Sequence, residues 1–287
     1  MTVCALAAKL AGVKHIICHL HGTDLSEASN PLKAFVKSLR KKIDLQILTF
    51  CAADFFTCSK KAAELTLGNH FMKRIPAEFF PNAIDVSSFL YDPAERDKIR
   101  SQYHLKNQFL MGTVGRLSHE KNQIFLLDIF CEINKKMDNA MLMLVGEGPC
   151  RQEIQDRICQ LHLEDKVILT GSVGNVNAYL QAFDVFILPS LTEAFPIVMV
   201  EAQAAGLPSF VSDIITRETA ITDLVHFISL KEPAEIWSDT ILSCSESFRS
   251  KQRSTEFSSD LFDLQKSGKN LENHYLSLLE HENNLKN

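Results

Sequence analysis

From residue 108 onward, short apolar runs alternate with helical patterns, and this alternation constrains the fold more than any other feature of the chain. The runs FLMGTVG, AMLMLVG, KVILTG, DVFILPS, PSFVS and HFISL show no polar face. Between them, helical spacing predicts helices at Asn122–Met137, Cys150–Leu161, Asn175–Ala182, Phe195–Gly206 and Pro233–Ser243. Strands that are apolar on both sides and alternate with helices form a parallel sheet covered on two faces. Ligands of such sheets sit at the carboxyl ends of the strands, so the loops that follow the strands are where chemistry is expected.

The loop and helix after DVFILPS carry the densest signal. Ser190–Pro208 reads SLTEAFPIVMVEAQAAGLP, with Glu193 and Glu201 eight positions apart. Pro196 suits a first helical turn, Ile197, Val200, Ala204 and Ala205 share a stripe, and Gly206 is a natural residue just past the helix end. Glu193 therefore lies in a strand–helix loop and Glu201 on the helix behind it. The amides of Phe195, Ile197 and Val198 point out of a helix N-terminus with partial positive charge, which suits phosphate. Carboxylates accept hydrogen bonds from sugar hydroxyls. Amides for phosphate beside glutamates for hydroxyls fit a sugar nucleotide. On spacing alone, a capping Glu193 with a solvated Glu201 is an equal alternative.

Two further loops face the same sheet edge. Gly115-Arg116-Leu117-Ser118-His119-Glu120-Lys121-Asn122 places two cations five positions apart. Arg116 in bidentate fashion and Lys121 as a point charge can neutralise a diphosphate leaving group. Taken alone, this stretch reads more readily as a surface turn, and it is the convergence with Glu193 and Glu201 on one sheet edge that favours a site. Val145-Gly146-Glu147-Gly148-Pro149 is not a dinucleotide fingerprint, because Arg151 stands where the third glycine belongs. It reads as a tight turn that lets a ligand approach the backbone. Gly171-Ser172-Val173 can offer backbone groups to a base.

The first 85 residues are less regular. A helix over Met1–Leu10, a strand over Val13–Leu20, a basic amphipathic helix over Pro31–Ile43, a strand over Asp54–Ser59 and a short helix over Lys60–Leu67 are expected. Ile75–Asp85 reads as an extended linker, and Asp92–His104 as a charged helix. In the basic helix, Leu32, Phe35, Val36, Leu39 and Ile43 form one face against Lys33, Lys37, Arg40, Lys41 and Lys42. The apolar face packs on a core, or the helix meets an anionic membrane surface. His19, His21 and Asp24 could suggest a metal, but no third strong ligand is spaced to join the histidines. His21 is instead expected to face a cleft and bond a sugar hydroxyl. A tail helix from about Asp260 to Glu280 presents Leu271, Tyr275, Leu278 and Leu279 on one face.

Net charge of −5 over 287 residues argues against a general nucleic-acid surface. The eight cysteines form no CxxC pair and read as mostly reduced core residues of a cytosolic protein. No stretch reaches the length of a membrane span, and no secretory signal is recognisable.

Together, GRLSHEKN, LVGEGP, DVFILPSLTEAFPIVMVEAQAAGLP, PNAID and HLHG resemble the family-4 (group 1) glycosyltransferases of the GT-B fold, most closely the bacterial capsular and exopolysaccharide branch. The resemblance implies an α/β chain of two facing Rossmann-like domains with parallel sheets. Residues 1–85 would form a partial acceptor-side domain, 86–258 the nucleotide-sugar domain, and 259–287 a helix packing back toward the first. It implies transfer of a sugar from a nucleotide diphosphate donor, UDP-sugar favoured, to a saccharide or lipid-linked acceptor with retention. Metal and cofactor are not expected. By similarity, Arg116 and Lys121 grip the diphosphate, Glu193 holds the donor sugar, Glu201 the ribose, and His21 lies by the sugar. Retention is explained in the family by front-face attack, the departing phosphate taking the acceptor proton, so no nucleophilic carboxylate is assigned.

Two departures stand out. Ala194 replaces the family's usual glycine, where a methyl can crowd the sugar. The family's opening strand and glycine-rich loop do not precede Met1, so an incomplete first sheet with an exposed edge is expected: a truncated product, a subunit completed by a partner, or a misassigned start. Two rival readings follow: a nucleotide-sugar-binding fragment that cannot turn over, and a nucleotide-sugar epimerase on the same fold.

Overall fold

The computed structural model describes residues 2–20, 31–52, 54–68, 72, 77–249, 253, 257 and 259–284. The chain divides into two compact units, Met1–Asn82 with Gln265–Asn287, and Ala83–Leu264. The divisions thus fall after Asn82 and Leu264, against expected boundaries after residues 85 and 258. Both units are α/β with parallel sheets, the expected fold class.

In the first unit, β1 (Ile17–Leu20), β2 (Asp54–Thr57) and β3 (Ala77–Phe79) form a parallel sheet in that order. Its core gathers Ala5, Cys18, Leu20, Leu45, Leu48, Phe55 and Leu67. Helix α1 (Thr2–Leu10) packs against α2 (Pro31–Cys51). Helix α3 (Lys60–Leu67) is capped by Ser59, whose side chain accepts from the Ala62 amide at 2.9 Å.

Three local expectations are corrected here. Helix α2 does not stop at Ile43 but runs to Cys51, because no glycine or proline interrupts RKKIDLQIL. Its buried face is Leu45, Leu48 and Cys51, while Phe35, Val36, Leu39 and Ile43, one alternative for a core face, are exposed. The first strand begins at Ile17 rather than Val13, which is exposed. The stretch expected as a linker supplies β3, whose Ala77 pairs with Phe55; Pro76 and Pro81 flank this strand without interrupting it.

In the second unit six parallel strands are β4 (Phe109–Val114), β5 (Ala140–Val145), β6 (Val167–Gly171), β7 (Val185–Leu188), β8 (Ser209–Ser212) and β9 (Val225–Ile228), in spatial order β6-β5-β4-β7-β8-β9. The chain moves outward from β4 to β6, then returns to β4's other side with β7. That reversal makes the gap between the carboxyl ends of β4 and β7 a topological switch point. One face of the sheet packs on Leu126, Phe130, Ile133 and Trp237, and the other on Phe183, Met199, Ala202 and Leu207. Burial on both sides is why these strands read as continuous apolar runs.

At the opposite edge, Asp184 ties the two central strands together. Its carboxylate accepts from the Leu110 amide at 2.7 Å and pairs with Arg96 at 2.5 Å. Arg96 also donates to the carbonyls of Gln181, Ala182 and Phe183 where helix α4 (Val176–Ala182) ends. All eight cysteines are free thiols; Cys18, Cys51 and Cys58 are buried as expected, whereas Cys4 and Cys159 are exposed. No described helix is long and apolar enough to cross a membrane.

Candidate functional site

The site is built by the loops that leave β4, β5, β6 and β7. After β4 the chain passes Gly115 and Arg116 and makes a single 3₁₀ turn at His119–Lys121. Asn122 then adopts the left-handed conformation (φ 56°) before the next helix, Gln123–Lys136. Asparagine tolerates this backbone better than most side chains. The loop is locked onto its neighbour after β5: Leu117 donates to the Glu147 carbonyl at 2.9 Å, and Cys150 to the Leu117 carbonyl at 3.0 Å.

Gly146 and Gly148 exist for this contact. A Cβ on Gly146 (φ 140°) would lie 2.0 Å from the Gly115 carbonyl oxygen, and one on Gly148 would lie 2.2 Å from that of Leu117. At Gly146 and Gly148 the chain's own backbone makes the close approach, while Gly146 and Glu147 also line an open cleft. The Gly171 carbonyl accepts from the Gly146 amide at 3.0 Å and from the Thr170 hydroxyl at 2.9 Å.

Across the switch point, Lys121 Nζ donates to Glu193 Oε1 at 2.5 Å. Ser190 Oγ donates to the same oxygen at 2.8 Å. Glu193 Oε2 has no partner among the described residues. The two loops are fastened by Leu191 N to the Glu120 carbonyl at 2.8 Å and Asn122 Nδ2 to the Pro189 carbonyl at 3.0 Å. Ser212 Oγ, at the end of β8, holds the Ser190 carbonyl at 2.6 Å.

The helix behind this loop, α5 (Ile197–Ala204), begins one residue after Pro196, which stands at its cap, and ends in Gly206 with φ 65°. The amides of Phe195, Ile197 and Val198 have no acceptor among the described residues. The Phe195 ring is buried and stacked on Phe262, with centroids 5.7 Å apart. The Glu201 carboxyl has no hydrogen-bond or ion-pair partner among the described residues, and burial pushes it up to about 7. Arg116 is exposed and makes no side-chain hydrogen bond among the described residues. Arg116 and Val173 line one cleft of about 280 Å³ with Val114, Gly115, Gly146 and Glu147.

The structure thus joins Lys121 directly to Glu193, and Arg116 to Val173 through a shared cleft. His21 lies outside the described residues. Its neighbour His19 has Nε2 3.3 Å from the Tyr275 hydroxyl, on the helix Leu264–Asn284, which belongs to the first unit from Gln265 onward. Among the described residues no three His, Cys, Asp or Glu side chains gather as metal ligands. Ser190, Ser212 and Asn122 were not picked out from sequence as site residues. Asn122 follows Lys121 directly and Ser190 lies three positions before Glu193, which is a signal a sequence can offer; Ser212 had only its place at the end of a strand.

A family model described as glycosyl transferases group 1 matches residues 95–253. EpsF of Bacillus subtilis (strain 168) is 32% identical over 250 residues, covering 86% of this chain and 64% of its own length. The UDP-Gal:alpha-D-GlcNAc-diphosphoundecaprenol alpha-1,3-galactosyltransferase of Escherichia coli is 26% identical over 213 residues, covering 73% of this chain and 54% of its own. The chain thus spans between half and two-thirds of the length of these curated relatives. The crystal structure of Anabaena Alr3699/HepE in complex with UDP and glucose superposes with a TM-score of 0.78 at 18% identity, over 96% of this chain and 75% of that one. At that identity the likeness is one of fold.

Proposed function

This chain belongs to the group 1 glycosyl transferases, and from that premise we propose that it moves a hexose from a nucleoside diphosphate donor to a saccharide or lipid-linked acceptor in cell-surface polysaccharide synthesis, with retention. The observation that carries the reading is the Lys121–Glu193 pair at 2.5 Å across the switch point. It sets a cation for a diphosphate beside a carboxylate for sugar hydroxyls.

In this reading Arg116, Lys121 and the amides of Phe195, Ile197 and Val198 meet the diphosphate. Glu193 holds the donor sugar and Glu201 the ribose, while the base lies in the cleft beside Val173. The acceptor hydroxyl oxygen bonds to the anomeric carbon as the bond to the β-phosphate oxygen breaks. The acceptor proton passes to that departing oxygen, and the cations stabilise the charge left on the diphosphate. A UDP-sugar is the first donor to test, because the Escherichia coli relative is named for UDP-Gal and the HepE structure holds UDP and glucose. Phe35, Val36, Leu39 and Ile43, exposed beside exposed Arg40, Lys41 and Lys42, support peripheral contact with the cytoplasmic face of a membrane, where a lipid-linked acceptor is presented.

Calorimetric titration of the purified chain with UDP, GDP, UDP-glucose and GDP-mannose tests the donor site. Acceptor-dependent release of nucleoside diphosphate tests transfer. Folded protein that binds none of the four overturns the reading, and conversion of the donor sugar without acceptor replaces it with epimerisation.

A further inference from the structure

We infer that Ser190 is a positioning residue for Glu193, deciding which carboxylate oxygen a bound sugar meets; the inference rests on the proposed function of the same site. Glu193 Oε1 accepts from both Lys121 Nζ and Ser190 Oγ, at 2.5 and 2.8 Å, and Oε2 accepts from no described residue. One oxygen is engaged within the protein and the other is left for a ligand hydroxyl. The two bonds to Oε1 differ in kind. Lys121 is a flexible cation whose remaining N–H groups and charge are drawn toward a diphosphate when one arrives. Ser190 cannot be drawn away. It is fully buried, and its own carbonyl is held by Ser212 Oγ at 2.6 Å. The preceding Pro189 carbonyl is held by Asn122 Nδ2 at 3.0 Å, from the loop that carries Lys121. Ser190 is therefore the bond that keeps the Glu193 carboxylate aimed once the diphosphate competes for Lys121.

This makes an asymmetric demand. Loss of the Ser190 hydroxyl leaves the nucleotide contacts intact and loosens the carboxylate that holds the sugar. Affinity for the nucleoside diphosphate alone should hold, and affinity for its sugar conjugate should fall. A purely structural role for Ser190 would move both together. The test is calorimetry of wild type, Ser190→Ala and Ser190→Cys with UDP and UDP-glucose, and with GDP and GDP-mannose. Thermal melts confirm that each variant is folded. For the pair that binds wild type, Ser190→Ala is expected to weaken the sugar conjugate about tenfold, with the nucleoside diphosphate within about twofold. Ser190→Cys, nearly the same size with a weaker donor, should fall between and covers the case in which the alanine variant does not fold. An unchanged ratio of the two affinities overturns the inference and leaves the site standing. Wild-type protein that binds neither pair overturns the site and the inference with it.

Discussion

Lys121 and Glu193 lie 72 residues apart in sequence and 2.5 Å apart in space, with side chains only 22% and 11% exposed. Half-buried, the pair is less screened than a surface ion pair, and each partner depends on the other. Lys121→Ala should remove a cation from the diphosphate and leave Glu193 bonded to Ser190 alone. UDP affinity is expected to fall between about tenfold and a hundredfold, the worth of a charge-assisted hydrogen bond. Calorimetry of wild type and variant decides it; equal affinities would place the diphosphate elsewhere.

Gly148 offers a test of the cleft wall. A methyl there would meet the Leu117 carbonyl at 2.2 Å, a backbone contact that cannot swing aside. Gly148→Ala must push apart the loops that follow β4 and β5, and Arg116 precedes Leu117 in one of them. The variant should lose about 1–3 kcal/mol of stability, as overpacked cores do, and bind UDP more weakly. Urea unfolding and calorimetry measure the two effects separately. A destabilised variant with full UDP affinity would show that this wall is not part of the nucleotide site.

The second sheet was legible because β4, β5 and β7 are apolar on both faces, and only a parallel sheet covered by helices buries such strands. The ends of those strands then pointed to Lys121, Glu193 and Glu201 through residue chemistry. What was not legible lay in partners. No spacing rule shows that residue 193 meets residue 121, and Ser190 read only as the break after a strand. Gly146 and Gly148 read as room for a ligand's approach, and a sequence does not reveal that the chain's own loop after β4 approaches there too. β3 was hidden by flanking prolines, and α2 by a helix signal that ran past its strongest apolar stripe.

That exposed stripe makes a prediction of its own. Phe35 and Leu39 are 67% and 51% exposed on α2, with Arg40, Lys41 and Lys42 exposed beside them. Co-sedimentation with vesicles containing anionic lipid should exceed that with neutral vesicles and weaken as salt is raised. Lys41→Glu with Lys42→Glu should lower the partition coefficient by at least about tenfold, at about 1 kcal/mol per basic residue near the surface. Phe35→Ser with Leu39→Ser should reduce binding at every salt concentration. Binding indifferent to both pairs would leave this face without a lipid role.

Glu201 ties stability to pH in the opposite sense to an ordinary salt-bridged carboxylate. Burial raises its carboxyl from 4.5 to about 7. Between those values the folded protein keeps a proton that the unfolded chain releases. The contribution to stability is therefore fully present below about pH 4.5 and is lost as pH rises through about 7, by about 3 kcal/mol at most. Glu201→Gln keeps the neutral form at every pH, so the variant should be the more stable protein at pH 8, by a margin that shrinks to about 1 kcal/mol or less at pH 5. Nucleotide binding should run the other way. A carboxylate accepts two ribose hydroxyls better than a neutral acid does, so wild-type affinity for UDP should rise as pH passes through about 7, and Glu201→Gln should bind more weakly with that dependence gone. Urea unfolding at pH 5 and pH 8, with UDP titrations at the same two values, measures both. A variant that gains stability at pH 8 yet keeps wild-type affinity for UDP would leave Glu201 buried and titrating, and would remove it from the nucleotide site.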